Sequence, residues 1–184
     1  MGSIRYISRF AYKNVLLTIL SASVMLLFLP ACGYQFTGSS NNMLASGQSL
    51  WVSFIKIEID SPSVQTTLRR SLLEECHALR GLYPSANEAT ADLRITGNLR
   101  SYTSQIVSYT ALDLAKEYRL TIGVELEVFK KGETVPFWKG TLQSFQDYPA
   151  NTDLALQRSA EAAALDAASR KLAQKFLMSV EQSY

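Results

Sequence analysis

The chain has 184 residues, with 18 basic and 16 acidic side chains, a formal net charge of +2 and two cysteines. That length suits one globular domain with a real core, and two cysteines cannot build a disulfide-stapled scaffold. The charge forms no basic stripe and no aromatic-interleaved basic patch, which excludes nucleic acid as a partner.

Arg5, Arg9 and Lys13 precede an apolar run from Val15 to Leu29, and Ala31 puts a small residue before Cys32. Basic, apolar and small-residue regions in that order predict a secretory signal peptide over residues 1–31. The apolar run is shorter than the roughly 20 residues of a spanning helix, and Pro30 stops it with no stop-transfer charges behind. Leu29-Pro30-Ala31-Cys32 resembles the bacterial lipobox, although proline is unusual at its middle position. Cys32 is therefore the expected lipid anchor, since a thiol is the group that accepts the diacylglyceryl chain. One acyl chain binds a membrane only marginally, and several chains make such an anchor stable. Gly33 rather than aspartate after the cysteine fits outer-membrane sorting, by resemblance to lipoprotein sorting signals. Cleavage removes three of the 18 basic residues and no acidic one, leaving 15 against 16 and a net charge of −1.

Residues 32–49 read as an acylated terminus and flexible tether, rich in Ser, Asn and Gly, and residues 50–184 as a single domain. Leu50 to Ile59 predicts a strand, with a phase change near Phe54 and Ile55 that suggests a bulge or a strand buried on both faces. Ser61 and Pro62 supply a helix start, and Val64, Leu68, Leu72, Cys76 and Leu79 form its apolar stripe until Gly81 and Pro84 end it. A lone cysteine on such a stripe reads as a small buried hydrophobe. A loop through Ser85 to Thr90 leads to a second strand, with Leu93, Ile95, Gly97, Leu99 and Ser101 on one face and Arg94, Thr96, Asn98 and Arg100 on the other.

The clearest strand alternates Tyr118, Leu120, Ile122, Val124, Leu126 and Val128 with polar residues. Lys130-Lys131-Gly132 makes its turn, and Val135 to Phe145 returns as the hairpin partner, with Pro136 implying an irregular start. From Asn151 an alanine-rich amphipathic helix follows, its stripe running from Leu154 and Ala155 to Val180, with Asn151 to Asp153 as the cap. The order predicts an α+β two-layer sandwich: about four strands, mostly antiparallel, covered by two helices.

No catalytic motif accompanies the single histidine, His77, which suits the C-terminal end of the first helix. Glu125 and Glu127 share a strand face and read as a solvated surface rather than an acid/base pair. No metal-ligand spacing and no phosphate-cradling glycine loop occur, so no catalytic residue, metal or cofactor is expected and an enzyme is not the expectation. Trp51 and Trp138 are candidate partner-interface anchors, because aromatics are enriched at binding hot spots; the competing reading puts them in the core or over the sheet edge.

Cys32-Gly33-Tyr34-Gln35-Phe36, the Leu50 to Ile59 strand feeding the Ser61-Pro62 helix, Trp138-Lys139-Gly140 leading to Asp147-Tyr148, and the final alanine-rich helix together resemble the LptE family of lipopolysaccharide-assembly lipoproteins. The resemblance covers nearly all of the mature chain in order. It implies a plug inside an outer-membrane β-barrel partner, LptD, on the periplasmic side of that membrane. It also implies contact with lipopolysaccharide through basic residues, for which Lys130, Lys131, Arg94 and Arg100 are the candidates by charge and placement. A different envelope role, an auxiliary lipoprotein of an ABC-type lipid transport system, would share the anchor and the small α+β domain. A periplasmic hydrolase would have to depend on His77.

Overall fold

The computed structural model describes residues 44–53, 56–57 and 62–182, of which 56, 57 and 62 by backbone alone. The signal peptide, Cys32 with the following motif, the Phe54–Ile55 phase change and the Ser61 cap lie outside the described residues. Six strands and two helices follow in the order β1 (Ser49–Val52), β2 (Lys56–Ile57), α1 (Pro62–Arg80), β3 (Tyr83–Pro84), β4 (Leu93–Tyr109), β5 (Ala115–Lys130), β6 (Trp138–Pro149) and α2 (Leu154–Gln182). None of the described helices is long and apolar enough to cross a membrane.

One sheet has the order β3-β1-β4-β5-β6, and β2 pairs with β4 beyond the end of β1. β4, β5 and β6 form an antiparallel meander, whereas β1 and β2 run parallel to β4, and β3 runs parallel to β1. Parallel neighbours need a crossover, and α1 supplies it between β1 and β4. The class is the expected α+β sandwich, with more strands: β3 has only two residues, too few to register as a periodic pattern.

Leu120, Ile122, Val124, Leu126 and Val128 of β5 are all fully buried beneath the helices, as their alternation requires. Val64, Leu68, Leu72 and Cys76 of α1 meet that face, and Ala164, Ala168, Leu172, Phe176 and Val180 of α2 complete the core. Leu79 leaves the predicted stripe, being 53% exposed, because the four-residue spacing of the buried positions carries past it. Helix α1 ends in an αL cap: Gly81, at φ +65°, donates its N–H to the His77 carbonyl, and Leu82 N–H bonds that of Cys76. Gly97 is required by close approach, since a Cβ there would lie 2.7 Å from the Glu125 carbonyl oxygen. Leu44 is buried, and Gly47 N–H bonds the Gly81 carbonyl, so the end of the predicted tether is docked on the domain.

The largest departure from expectation is β4, which runs on to Tyr109 instead of ending near Ser101. Its register shifts between Leu99 and Ser101, where two steps of β4 oppose one of β5, making Arg100 the extra residue of a bulge. Odd-numbered residues face the helices before the bulge, whereas Tyr102 and Ser104 do so after it: Tyr102 bonds Glu161 of α2, and Ser104 bonds the buried Tyr148. The phase flip interrupts the alternation that marks a strand in sequence, so the pattern ends at the bulge while the strand continues.

Candidate functional site

At the end of the sheet where β4 begins, the Asn87–Ala91 turn and the β5–β6 turn enclose an open cleft of about 640 Å³. Asp92 fixes both turns. Its carboxylate accepts from Ser49 N–H at 2.9 Å and Ser49 Oγ at 2.7 Å, and its carbonyl accepts from Lys131 N–H at 2.9 Å. Those Ser49 bonds hold the Asp92 carboxyl below the usual carboxylate range, with the nearby Lys131 charge adding in the same direction. Asn87 Oδ1 accepts from Ala89 N–H, closing the Asx turn on the other wall.

Of the four cations nominated from sequence, three line this cleft: Arg94, Lys130 and Lys131. Arg94 donates to Glu88 at 2.8 Å and covers the Phe129 ring at 4.5 Å, while Lys130 Nζ lies 5.5 Å from the Phe137 ring. Glu88 and Glu133 are the acidic members of the lining, so the cleft carries an excess of one positive charge. Such a cleft can take an anionic group through charge-assisted hydrogen bonds, with the aromatic rings positioning the cations.

Arg100 stands apart. As the bulge residue it pairs with Glu125, which also meets Lys139, and Lys139 reaches Glu127 at 2.7 Å. The bonds from Lys139 and Arg100 hold the Glu125 carboxyl low, and its partners hold the Lys139 ammonium high. Glu125 and Glu127 thus belong to a charge ladder on the helix-free sheet face. Arg119 and Asp147 continue that face with a bidentate pair at 2.7 and 2.8 Å. Thr96 pairs with Glu127, Asn98 with Glu125 and Thr103 with Thr121, which makes most of the face polar, while the exposed Phe145 on the same face lies beneath the Arg119 guanidinium.

The tryptophans separate. Trp138 is only 7% exposed, with its ring edge-on to Phe176 at 5.2 Å; it is a core residue, which corrects its nomination as an interface anchor. Trp51 is half-buried beneath the Arg69 guanidinium at 5.1 Å. His77 Nδ1 donates to the Leu82 carbonyl at 2.9 Å and its ring neighbours Tyr83, a structural role at the end of α1. Cys76 is buried, which pushes its thiol up to about 12, with the Glu75 charge adding to the shift. Sequence reasoning missed the exposed apolar tip of the β4–β5 hairpin; its signal was Tyr109, Leu112 and Leu114 around a turn.

These features define a class: a two-layer α+β domain with a polar, helix-free sheet face and a basic cleft at one end. The lipopolysaccharide-assembly family model, LptE, matches residues 48–180, and the chain belongs to that family, one of non-catalytic lipoproteins. Among solved structures, a protein of Xanthomonas campestris is similar at 16% identity, covering 76% of this chain and 89% of its own, with a TM-score of 0.53. A Caulobacter crescentus protein described as a candidate lipoprotein shares 12% identity over 71% of this chain and 86% of its own, with a TM-score of 0.51. A Chlamydia trachomatis protein shares 9% identity over 73% and 95%, also with a TM-score of 0.51. These likenesses concern the fold. Among curated proteins none matches the chain.

Proposed function

We propose that this protein is an outer-membrane lipoprotein, anchored through Cys32 on the periplasmic side, that plugs and assists an LptD-type β-barrel in assembling lipopolysaccharide at the cell surface. Membership of the lipopolysaccharide-assembly family is the observation that carries this reading. The polar sheet face supports it, because a plug in a water-filled lumen needs a surface that stays hydrated. Its ion pairs are satisfied within the face, so burial against a polar wall strands no charge. The cleft is the proposed meeting point with lipopolysaccharide phosphates. Lys130 and Lys131 present ammonium donors, and Arg94 joins them by exchanging its Glu88 carboxylate for a phosphate oxygen. Arg100, engaged with Glu125 at the bulge, contributes to the sheet face. Trp51 remains the tryptophan available to a partner.

Extraction of the full-length protein from its envelope in mild detergent tests the reading. A large β-barrel should copurify in stoichiometric amount, and a monomer without one would refute it.

A further inference from the structure

We propose that the open edge of β4, from Ser101 to Tyr109, pairs with the same edge of a second copy of this chain. An unpaired strand edge is a template for another strand, and proteins protect such edges with lysines, prolines, bulges or short strands. The two outer strands of this sheet are protected. β3 has two residues, the second of them Pro84. Along β6, the register with β5 and the bond from Ala150 N–H to the Lys116 carbonyl turn the even-numbered backbone groups to β5 and the odd-numbered ones outward. Two of those outward carbonyls are capped. Lys175 Nζ donates to that of Gln143 at 3.0 Å, and Gln146 Nε2 donates to that of Asp147 at 2.9 Å while its Oε1 accepts from Lys171.

The outer half of β4 carries no such protection. β2 is the last strand beside it among the described residues, and it ends opposite Leu99. From Ser101 to Leu112 the sequence has no charged residue, no proline and no glycine. Thr110 N–H donates to the Leu114 carbonyl, so in this register Ser101, Thr103 and Gln105 turn their N–H and C=O groups away from β5, to the open side. The bulge at Arg100 precedes the run, and the irregularity between Ile106 and Tyr109 cancels, since Tyr109 opposite Ala115 keeps the register of Ser101 opposite Gly123. Ile106, Val107 and Tyr109 are 40%, 41% and 59% exposed. The helices pack most closely on β1, β3, β5 and β6, which leaves this flank of β4 clear among the described residues. An uncharged, exposed edge of β-favouring residues is suited to strand addition.

Chemistry selects the second copy. A closed barrel has no strand edge to offer, so the barrel is not the occupant. An antiparallel two-fold centred on Gln105, the midpoint of the run, sets Thr103 opposite Val107 of the second copy, Ser104 opposite Ile106 and Ser101 opposite Tyr109. Each exposed apolar side chain then meets a hydroxylated one, and the two Gln105 amides meet at the centre. No like charges come into contact. Arg100, paired with Glu125, falls towards the turn that carries Asp113 of the second copy. Arg119 stands one strand behind Gln105, so its two copies are about 14 Å apart at ~4.8 Å per strand, and each is paired with Asp147. Glu161 bonds Tyr102 from the helix side, whereas Glu117 bonds Ser108 from the helix-free side. Lys116 and Arg158 belong to β5 and α2, behind the edge.

The test uses the full-length protein, produced in excess of any partner and purified in mild detergent, with Gln105→Cys or, as the comparison on the capped β6 edge, Gln143→Cys. Cys76 is buried and does not compete for the reagent. A short bis-maleimide should link Gln105→Cys chains about tenfold more than Gln143→Cys chains, because the paired Cα atoms lie about 5.5 Å apart. Thr103→Pro in the Gln105→Cys background removes an N–H that points away from β5, so it should lower linkage about tenfold with the thermal midpoint unchanged. Thr103→Lys repeats the test with the backbone intact, by placing a charge on the edge. Equal linkage at the two positions, linkage that survives both Thr103 substitutions, or no linkage of Gln105→Cys chains would overturn the inference. So would a monomer whose Gln105 amide is protected from hydrogen exchange, which would assign the edge to residues 33–43 of the same chain. None of these outcomes bears on the barrel reading.

Discussion

At the scale of residues, Asp92 connects folding to the cleft. Its carboxyl is depressed in the fold by the two Ser49 bonds. A depressed carboxylate stabilises the folded state above its unfolded value, about 4, and that contribution is lost as pH falls through the lower folded value. Ser49→Ala leaves the backbone bond and removes the hydroxyl, so the folded value moves up towards the unfolded one. The variant should be less stable than the wild type at pH 7, with the gap between the two narrowing at pH 3; urea unfolding at both pH values measures it. An equal gap at both would separate Asp92 ionisation from stability. In the cleft itself, Lys130→Ser/Lys131→Ser should weaken binding to lipopolysaccharide and flatten its salt dependence, with the thermal midpoint unchanged, since both side chains are exposed. Unchanged binding would make the turn an ordinary charged hairpin.

At the scale of elements, α2 carries the packing that keeps the long meander rigid. Phe176 is fully buried and meets Trp138 edge-on, so Phe176→Ala should cost about 3–5 kcal/mol in chemical unfolding; a cost near zero would mean that the helix is dispensable to the sheet. The same helix shows what sequence could convey. Its buried stripe from Ala164 to Val180 is visible in the spacing, yet Leu154 and Ala155, assigned to that stripe, are exposed because the first turns extend past the helix-covered part of the sheet. β5 was legible because its alternation is unbroken. β4 was not, since the bulge at Arg100 inverts its phase and the residues beyond are mostly Ser, Thr and Gln. The parallel pairing of β1 with β4 was equally hidden, because periodicity identifies strands and leaves their neighbours unspecified. Arg94 lies 36 and 37 residues before Lys130 and Lys131 in sequence, and only the β4–β5 register brings them to one cleft.

At the scale of the whole molecule, the domain is polarised along its sheet. The chain enters beside the cleft, where Ser49 and Asp92 join β1 to β4, and the apolar apex lies at the far end of β4. On the proposed function, the cleft at one end of the sheet meets the anionic lipid, and the polar sheet face lies against the wet wall of the barrel. Surface lipopolysaccharide after depletion of the protein tests this most directly. The account predicts that newly made lipopolysaccharide fails to reach the surface and accumulates inside the envelope. Undiminished surface lipopolysaccharide, with phospholipid collecting in the wrong leaflet, would contradict it and favour the auxiliary role in lipid transport.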